Sequence, residues 1–208
     1  MLTKTEKSEQ TLAAIVDEAL TMAGIDGLGS LSLGEIAKRV GISKSGVFAR
    51  VGSLEALQAA VLEEYERRFS ALIFEPALAQ PRGLPRLHAM MMRWIEVGAD
   101  PRGLGGSLHA AGAFQLEIAN SGLRDRLLHG SLNWRRVLAR AVSEARDAGH
   151  LRPDTDPEQL AYELFGLMMG YLHDARFGLP GASPQRVRRA YARLMSTYRG
   201  FAADTPLG

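Results

Sequence analysis

The sequence contains no cysteine. Disulfide bridges and thiolate metal sites are therefore excluded, and a reducing compartment fits. Lysine is scarce. Lys4, Lys7, Lys38 and Lys44 are the whole set, and the rest of the 25 Lys and Arg side chains are arginine. Aromatics are few, at 7%. No uncharged apolar run approaches the roughly 20 residues that span a bilayer; the best, from Leu164 to His173, is too short. Asp17 and Glu18 interrupt the only early apolar stretch, so no secretory signal is read. A soluble, cytoplasmic protein is expected. His88, His109, His129, His150 and His173 show no ligand spacing such as H-E-x-x-H, and no metal is expected. Gly41 to Gly46 imitates half of a phosphate-binding loop, but Val47 and Phe48 stand where that chemistry needs Lys and Ser or Thr. Gly103-Leu-Gly-Gly106 follows no strand, and no serine lies in a nucleophile elbow. An enzyme is thus the weakest class, and no cofactor is expected.

What is present is a chain of 208 residues, 46% hydrophobic and 23% charged. That is enough to bury a core in one large domain or in a small and a larger one. The formal net charge of +2 does not announce a nucleic-acid binder. The charge is local. From Ser32 to Arg50, Lys38, Arg39, Lys44 and Arg50 face a single acid, Glu35. Positive charge gathered on one face suits phosphates.

Apolar spacing is helical nearly throughout. Leu12, Ile15, Val16, Ala19, Met22 and Ala23 follow one stripe, and Gly24 is a plausible stop. Ser32 and Glu35 read as a capping box opening a short helix that Gly41 ends. Ser43 caps a second short helix to about Arg50, and Ser53 caps a long one with Leu57, Val61, Tyr65 and Leu72. Gln80 to Pro85 is a break. Leu87, Met90, Met91, Trp94 and Ile95 mark the next helix, and Asp100 to Gly106 reads as a loop. A long helix from near Ser121 ends at Gly149. Asp156-Pro157-Glu158 and Ser183-Pro184 start the last two, joined through Gly178 to Ala182 as an αα-hairpin. The fold class is all-α, with about nine helices.

Residues Leu33 to Gly52 fit a helix-turn-helix position by position. Ile36, Val40, Ile42 and Val47 are spaced to make its small core. Ala37 sits where the helices cross. Gly41 occupies the turn, where a left-handed backbone is needed and glycine adopts it most cheaply. Such corners also occur as plain packing motifs in helical bundles.

The run from Ser32 to Leu57 resembles the signature of the tetracycline-repressor (TetR) family. It has a Ser start, Ile36-Ala37, a Gly41-Ile42-Ser43 turn, an aromatic in the second short helix, and entry into a long connecting helix. The resemblance implies an N-terminal three-helix DNA-binding domain, residues 1–56, and a helical dimerisation and effector-binding domain, residues 57–208. It implies a homodimeric repressor that binds a palindromic operator and is released by a small molecule. Ser32, Lys38, Arg39, Ser43, Lys44, Ser45, Gly46, Phe48 and Arg50 would form the DNA surface. Two positions depart from the family pattern. Phe48 replaces the usual tyrosine and Leu54 the usual lysine, which removes two phosphate contacts and leaves open a ligand-binding dimer with weakened operator binding.

In the larger domain, Leu164, Met168 and Tyr171 lie on one stripe, with Gly166 and Gly170 four apart. Such a stripe serves either core packing within one chain or contact between two. The resemblance favours a four-helix dimer interface that adds Val187, Tyr191, Leu194 and Tyr198. Methionine and aromatic side chains suit an adaptable effector pocket, here Met90, Met91, Trp94, Phe114, Trp134, Phe165, Met169 and Phe177, with His109 and His173 as polar contacts. The same residue types serve equally as ordinary core.

Overall fold

The computed structural model describes residues 3–100, 108 and 121–200. It is all-α. Among the described residues no strand occurs, only an isolated antiparallel bridge between Leu151 and Arg199. The helices are α1 (Lys4–Asp26), α2 (Leu33–Val40), α3 (Lys44–Val51), α4 (Leu54–Phe69), a π-helical turn (Ser70–Phe74), α5 (Glu75–Leu78), α6 (Leu84–Gly98), α7 (Ser121–Asp147), α8 (Pro157–Arg176) and α9 (Pro184–Tyr198). The chain divides into two compact units. Among the described residues, one contains those up to Arg68 and α7 as far as Leu128; the other contains Phe69 to α6 and His129 to Gly200.

In the first unit α1 packs on α2 and α3. Its start is a capping box: Thr3 Oγ1 accepts from Glu6 N at 3.2 Å, and Glu6 returns a carboxylate to Thr3 N at 2.6 Å. The helix runs through Gly24 and stops at Gly27, whose φ of +87° suits glycine. Gly24 has no comparable stop geometry, so the helix tolerates it. Ser32 accepts from Glu35 N at 3.2 Å, but Glu35 does not complete the expected box. Its carboxylate turns to Arg39 Nε at 3.2 Å instead.

On α4, Glu64 orders two arginines, one of which reaches back to α1. Its two oxygens accept from Arg67 at 2.7 and 2.8 Å, and Oε1 also accepts from Arg68 Nε at 2.6 Å. Arg68 then reaches Asp17 on α1 at 2.7 Å. Arg67 first, and Arg68 after it, pull the Glu64 carboxyl down to about 2, from 4.5. A carboxyl lowered on folding stabilises the fold above its unfolded value and loses that contribution as pH falls through the folded value. Glu64→Gln should therefore destabilise the fold near neutral pH by under about 1 kcal/mol, because Arg67 is exposed and Arg68 partly so, and the thermal midpoint should fall slightly. The gap to the parent should close as pH drops from 4.5 towards 2. Parallel melts that stay equally far apart at every pH would show that charge is not the cause.

The second unit has its own core. Ile73, Leu87, Met91, Ile95, Leu138, Val142, Leu160, Leu164, Met168 and Met195 are fully enclosed. The π-helical turn brings Phe69 and Phe74, five residues apart, onto one aromatic cluster, because its wider turn shifts the register by a residue. Trp134 meets Phe69, Phe74 and Trp94 edge-on at 5.2, 4.5 and 4.9 Å between centroids. Phe165 lies 6.0 Å from Trp94. Asp156 caps α8, accepting from Glu158 N at 2.9 Å, and Ser183 caps α9, accepting from Arg186 N at 3.3 Å.

Candidate nucleic-acid interface

The first unit carries the candidate surface. Ile36 and Val47 are wholly buried and Ala37 nearly so, which fixes α2 against α3. Ile42 N donates back to Ala37 O at 3.0 Å across the turn. Gly41 holds φ +75°, ψ 32°, the left-handed conformation that permits the sharp reversal. Ser43 Oγ accepts from Gly46 N at 3.0 Å and shares a hydrogen bond with Ser45 Oγ at 3.0 Å, so α3 begins with a fixed cap.

That geometry puts Ser32, Lys38, Arg39, Ser43, Lys44, Ser45, Phe48 and Arg50 at the exposed surface, with Gly46 half-buried. The cations differ in freedom. Lys44 makes no ion pair among the described residues, and Lys38 only a long one to Glu35 at 3.9 Å. Arg50 folds back on its own helix, Nη1 donating to Gly46 O at 2.8 Å. Arg39 is bound to Glu18 at 3.1 Å and Glu35 at 3.2 Å, and these carboxylates, Glu18 first, raise its already high basicity. A phosphate at Arg39 would compete with both. Phe48 is 55% exposed, an unusual position for a phenyl ring on a short helix. The Glu18 partner leaves no mark in the sequence, because no local spacing relates residues 21 apart.

The residues expected to line an effector pocket fall into three groups. Met90, Met91, Trp94, Trp134 and Phe165 are enclosed in the second unit, and Met169 is half-buried beside them. His173 and Phe177 instead stack on each other at 4.8 Å at the exposed end of α8, with Phe177 67% exposed. His109 and Phe114 lie outside the described residues. Trp134 Nε1 is buried without a hydrogen-bond partner among the described residues.

The residues expected at a dimer interface also divide. Leu164, Met168, Tyr171, Val187 and Tyr191 are buried within this chain, and Leu194 and Tyr198 pack partly against the same core. Burial pushes the Tyr191 hydroxyl far up, and it lacks a partner among the described residues. Gly166 and Gly170 point the other way: both are exposed, and a Cβ on either would meet no atom within 4 Å. They floor a hollow of about 290 Å³ between α8 and α9, flanked by Asp174 and Arg186.

No helix among the described residues is long and apolar enough to cross a membrane. Comparison with curated proteins gave no match. Solved structures are similar over nearly the whole chain. A TetR transcriptional regulator from Chloroflexus aurantiacus is 20% identical with a TM-score of 0.77, covering 93% of this chain and 98% of that one. A TetR-family regulator from Cytophaga hutchinsonii is 18% identical with a TM-score of 0.78, covering 96% and 98%. AibR, solved with isovaleryl coenzyme A and operator DNA, is 20% identical with a TM-score of 0.70, covering 92% and 100%. The family described as tetracyclin repressor-like, C-terminal domain, matches residues 83–191. With that match over more than half its length, the chain belongs to the tetracycline-repressor (TetR) family of transcriptional regulators and is not an enzyme.

Proposed function

We propose that this regulator is a homodimeric repressor that binds a palindromic operator through α3 and is released by a small molecule held in its helical unit. The observation that carries the reading is the exposed, serine-capped start of α3, where Lys44, beside Ser43 and Ser45, makes no ion pair among the described residues. A helix N-terminus supplies unsatisfied N–H groups and a positive dipole end to phosphates and base edges. Two such helices, about 34–36 Å apart across a two-fold axis, read the halves of a palindrome. AibR was solved with operator DNA and isovaleryl coenzyme A, which supports both halves of the reading. The domain division proposed is 1–56 for operator binding and 57–208 for dimerisation and effector binding.

The ligand-binding dimer with reduced operator affinity remains the second reading. Phe48 brings no hydroxyl to a phosphate, and Arg39 is already engaged by two carboxylates. Fluorescence anisotropy against the palindrome nearest its own gene, at low and moderate salt, decides between them. Salt-sensitive binding of two protomers per palindrome is expected. Lys44→Ala should weaken it about tenfold, in line with the loss of one charged contact to DNA, while leaving the melting curve unchanged. Binding no tighter than to random DNA would favour the second reading.

A further inference from the structure

The helical unit has a second opening, separate from the enclosed aromatic cluster. It is a groove of about 370 Å³ along α5, α6 and α7. Its apolar walls are Phe74, Leu78, Met90, Val137 and Ala141. Leu78 is 57% exposed there, a large apolar side chain left uncovered. Its polar edge is Arg82, Arg86, Arg140 and Glu144. Arg140 and Glu144 neutralise one another at 3.3 Å. Arg82 and Arg86 have no carboxylate partner among the described residues. Arg86 is also held in place: Nη2 donates to Gln80 O at 3.0 Å and to Leu78 O at 3.4 Å, and Nε to Gln80 O at 3.3 Å. Those acceptors are neutral carbonyls, so its charge stays uncompensated. Two guanidiniums at the mouth of an apolar groove complement an anionic head on an apolar tail, and guanidinium pairs with carboxylate or phosphate in a fixed fork.

We propose that this groove binds an anionic amphiphile, with its carboxylate or phosphate head between Arg82 and Arg86 and its apolar tail against Phe74, Leu78 and Met90. The assignment rests on the reading of the helical unit as the effector-receiving part, and it names the effector's chemical class. The cavity volume falls in the range of small-molecule sites. Phe74 joins the groove to the aromatic cluster, because its ring also packs on Trp134 at 4.5 Å. Occupancy should therefore register in tryptophan emission.

The probes are decanoate and decyl phosphate, with decanol and decyltrimethylammonium as neutral and cationic controls, all below micellar concentration and added to the full-length protein. Saturable, one-to-one emission changes are expected with the anions, with binding at least tenfold weaker for both controls. The tighter of the two anions identifies the head group. Arg82→Gln, a surface change, and Arg86→Gln should each weaken decanoate at least tenfold and leave decanol unaltered. Equal binding of all four probes, no saturable binding of either anion, or variants that bind decanoate like the parent would overturn the assignment. A parallel operator titration separates the two readings. Operator binding without anion binding sinks the groove alone, whereas anion binding that leaves operator affinity unchanged keeps the groove and removes its role as effector site.

Discussion

Gly170→Arg is expected to leave a folded, helical protein that sediments as a monomer and binds the operator no better than random DNA. The position is open in this chain: no atom lies within 4 Å of a Cβ built there, and the residue is exposed. An arginine there replaces a mid-helix glycine on the surface, so one chain should if anything gain about 0.5–1 kcal/mol. Against a second copy the result differs. Gly166 and Gly170 lie one turn apart on α8, on a face that the chain's own core does not use. Two helices crossing at such glycines approach closely, and a guanidinium there would stand between them. Losing the proposed dimer would halve the DNA contacts and remove the linkage between half-sites. Specific binding typically exceeds non-specific binding by about 10³-fold or more, and that margin is what the variant forfeits. Sedimentation equilibrium and anisotropy on one preparation test it, with Gly166→Arg as the companion. A variant that remains dimeric with full operator affinity would place the interface on another face.

The dimer residues also show what a sequence can and cannot disclose. Periodicity announces that Leu164, Met168, Tyr171, Val187 and Tyr191 face something apolar. It is blind to whether that surface belongs to the same chain, and all five are buried in this chain's own core. The helix starts at Ser43, Ser53, Asp156 and Ser183 were legible because a cap is written within three residues. Ser32 was half legible: its hydroxyl caps, but Glu35 is drawn to Arg39, a competitor one turn away. The box at Thr3 and Glu6 is written in the same local code. The π-helical turn left no mark in composition or spacing, yet it aligns Phe69 with Phe74. The ties from Arg39 to Glu18 and from Arg68 to Asp17 span 21 and 51 residues, beyond any local pattern. The helix-turn-helix was readable because its core, turn and caps all fall inside about twenty residues, where each is a local requirement. The arginine-edged groove was not, since Arg82, Arg86 and Arg140 come together only when α6 and α7 pack.

The other large effect lies at Trp134. The side chain is 6% exposed and touches three aromatic rings, so truncation to alanine removes most of what the cluster packs around. Losses of about 3–5 kcal/mol are usual for Trp→Ala in a core. Domains of this kind have roughly 5–15 kcal/mol in total, so Trp134→Ala should melt far below the parent. Trp134→Phe is the informative companion. It keeps an aromatic ring and deletes an Nε1–H that has no acceptor among the described residues. Burying an unsatisfied donor costs about 1–3 kcal/mol, which the phenylalanine recovers. That gain offsets the volume lost, and the net change should stay within about 1.5 kcal/mol. Urea unfolding followed by far-UV circular dichroism measures both variants. If phenylalanine costs as much as alanine, the indole N–H has a partner in solution and the cluster is wetter than its apolar walls suggest. If alanine itself costs little, the aromatic interior is not what holds this unit together, and the burden shifts to the aliphatic packing of α6 on α8 and α9.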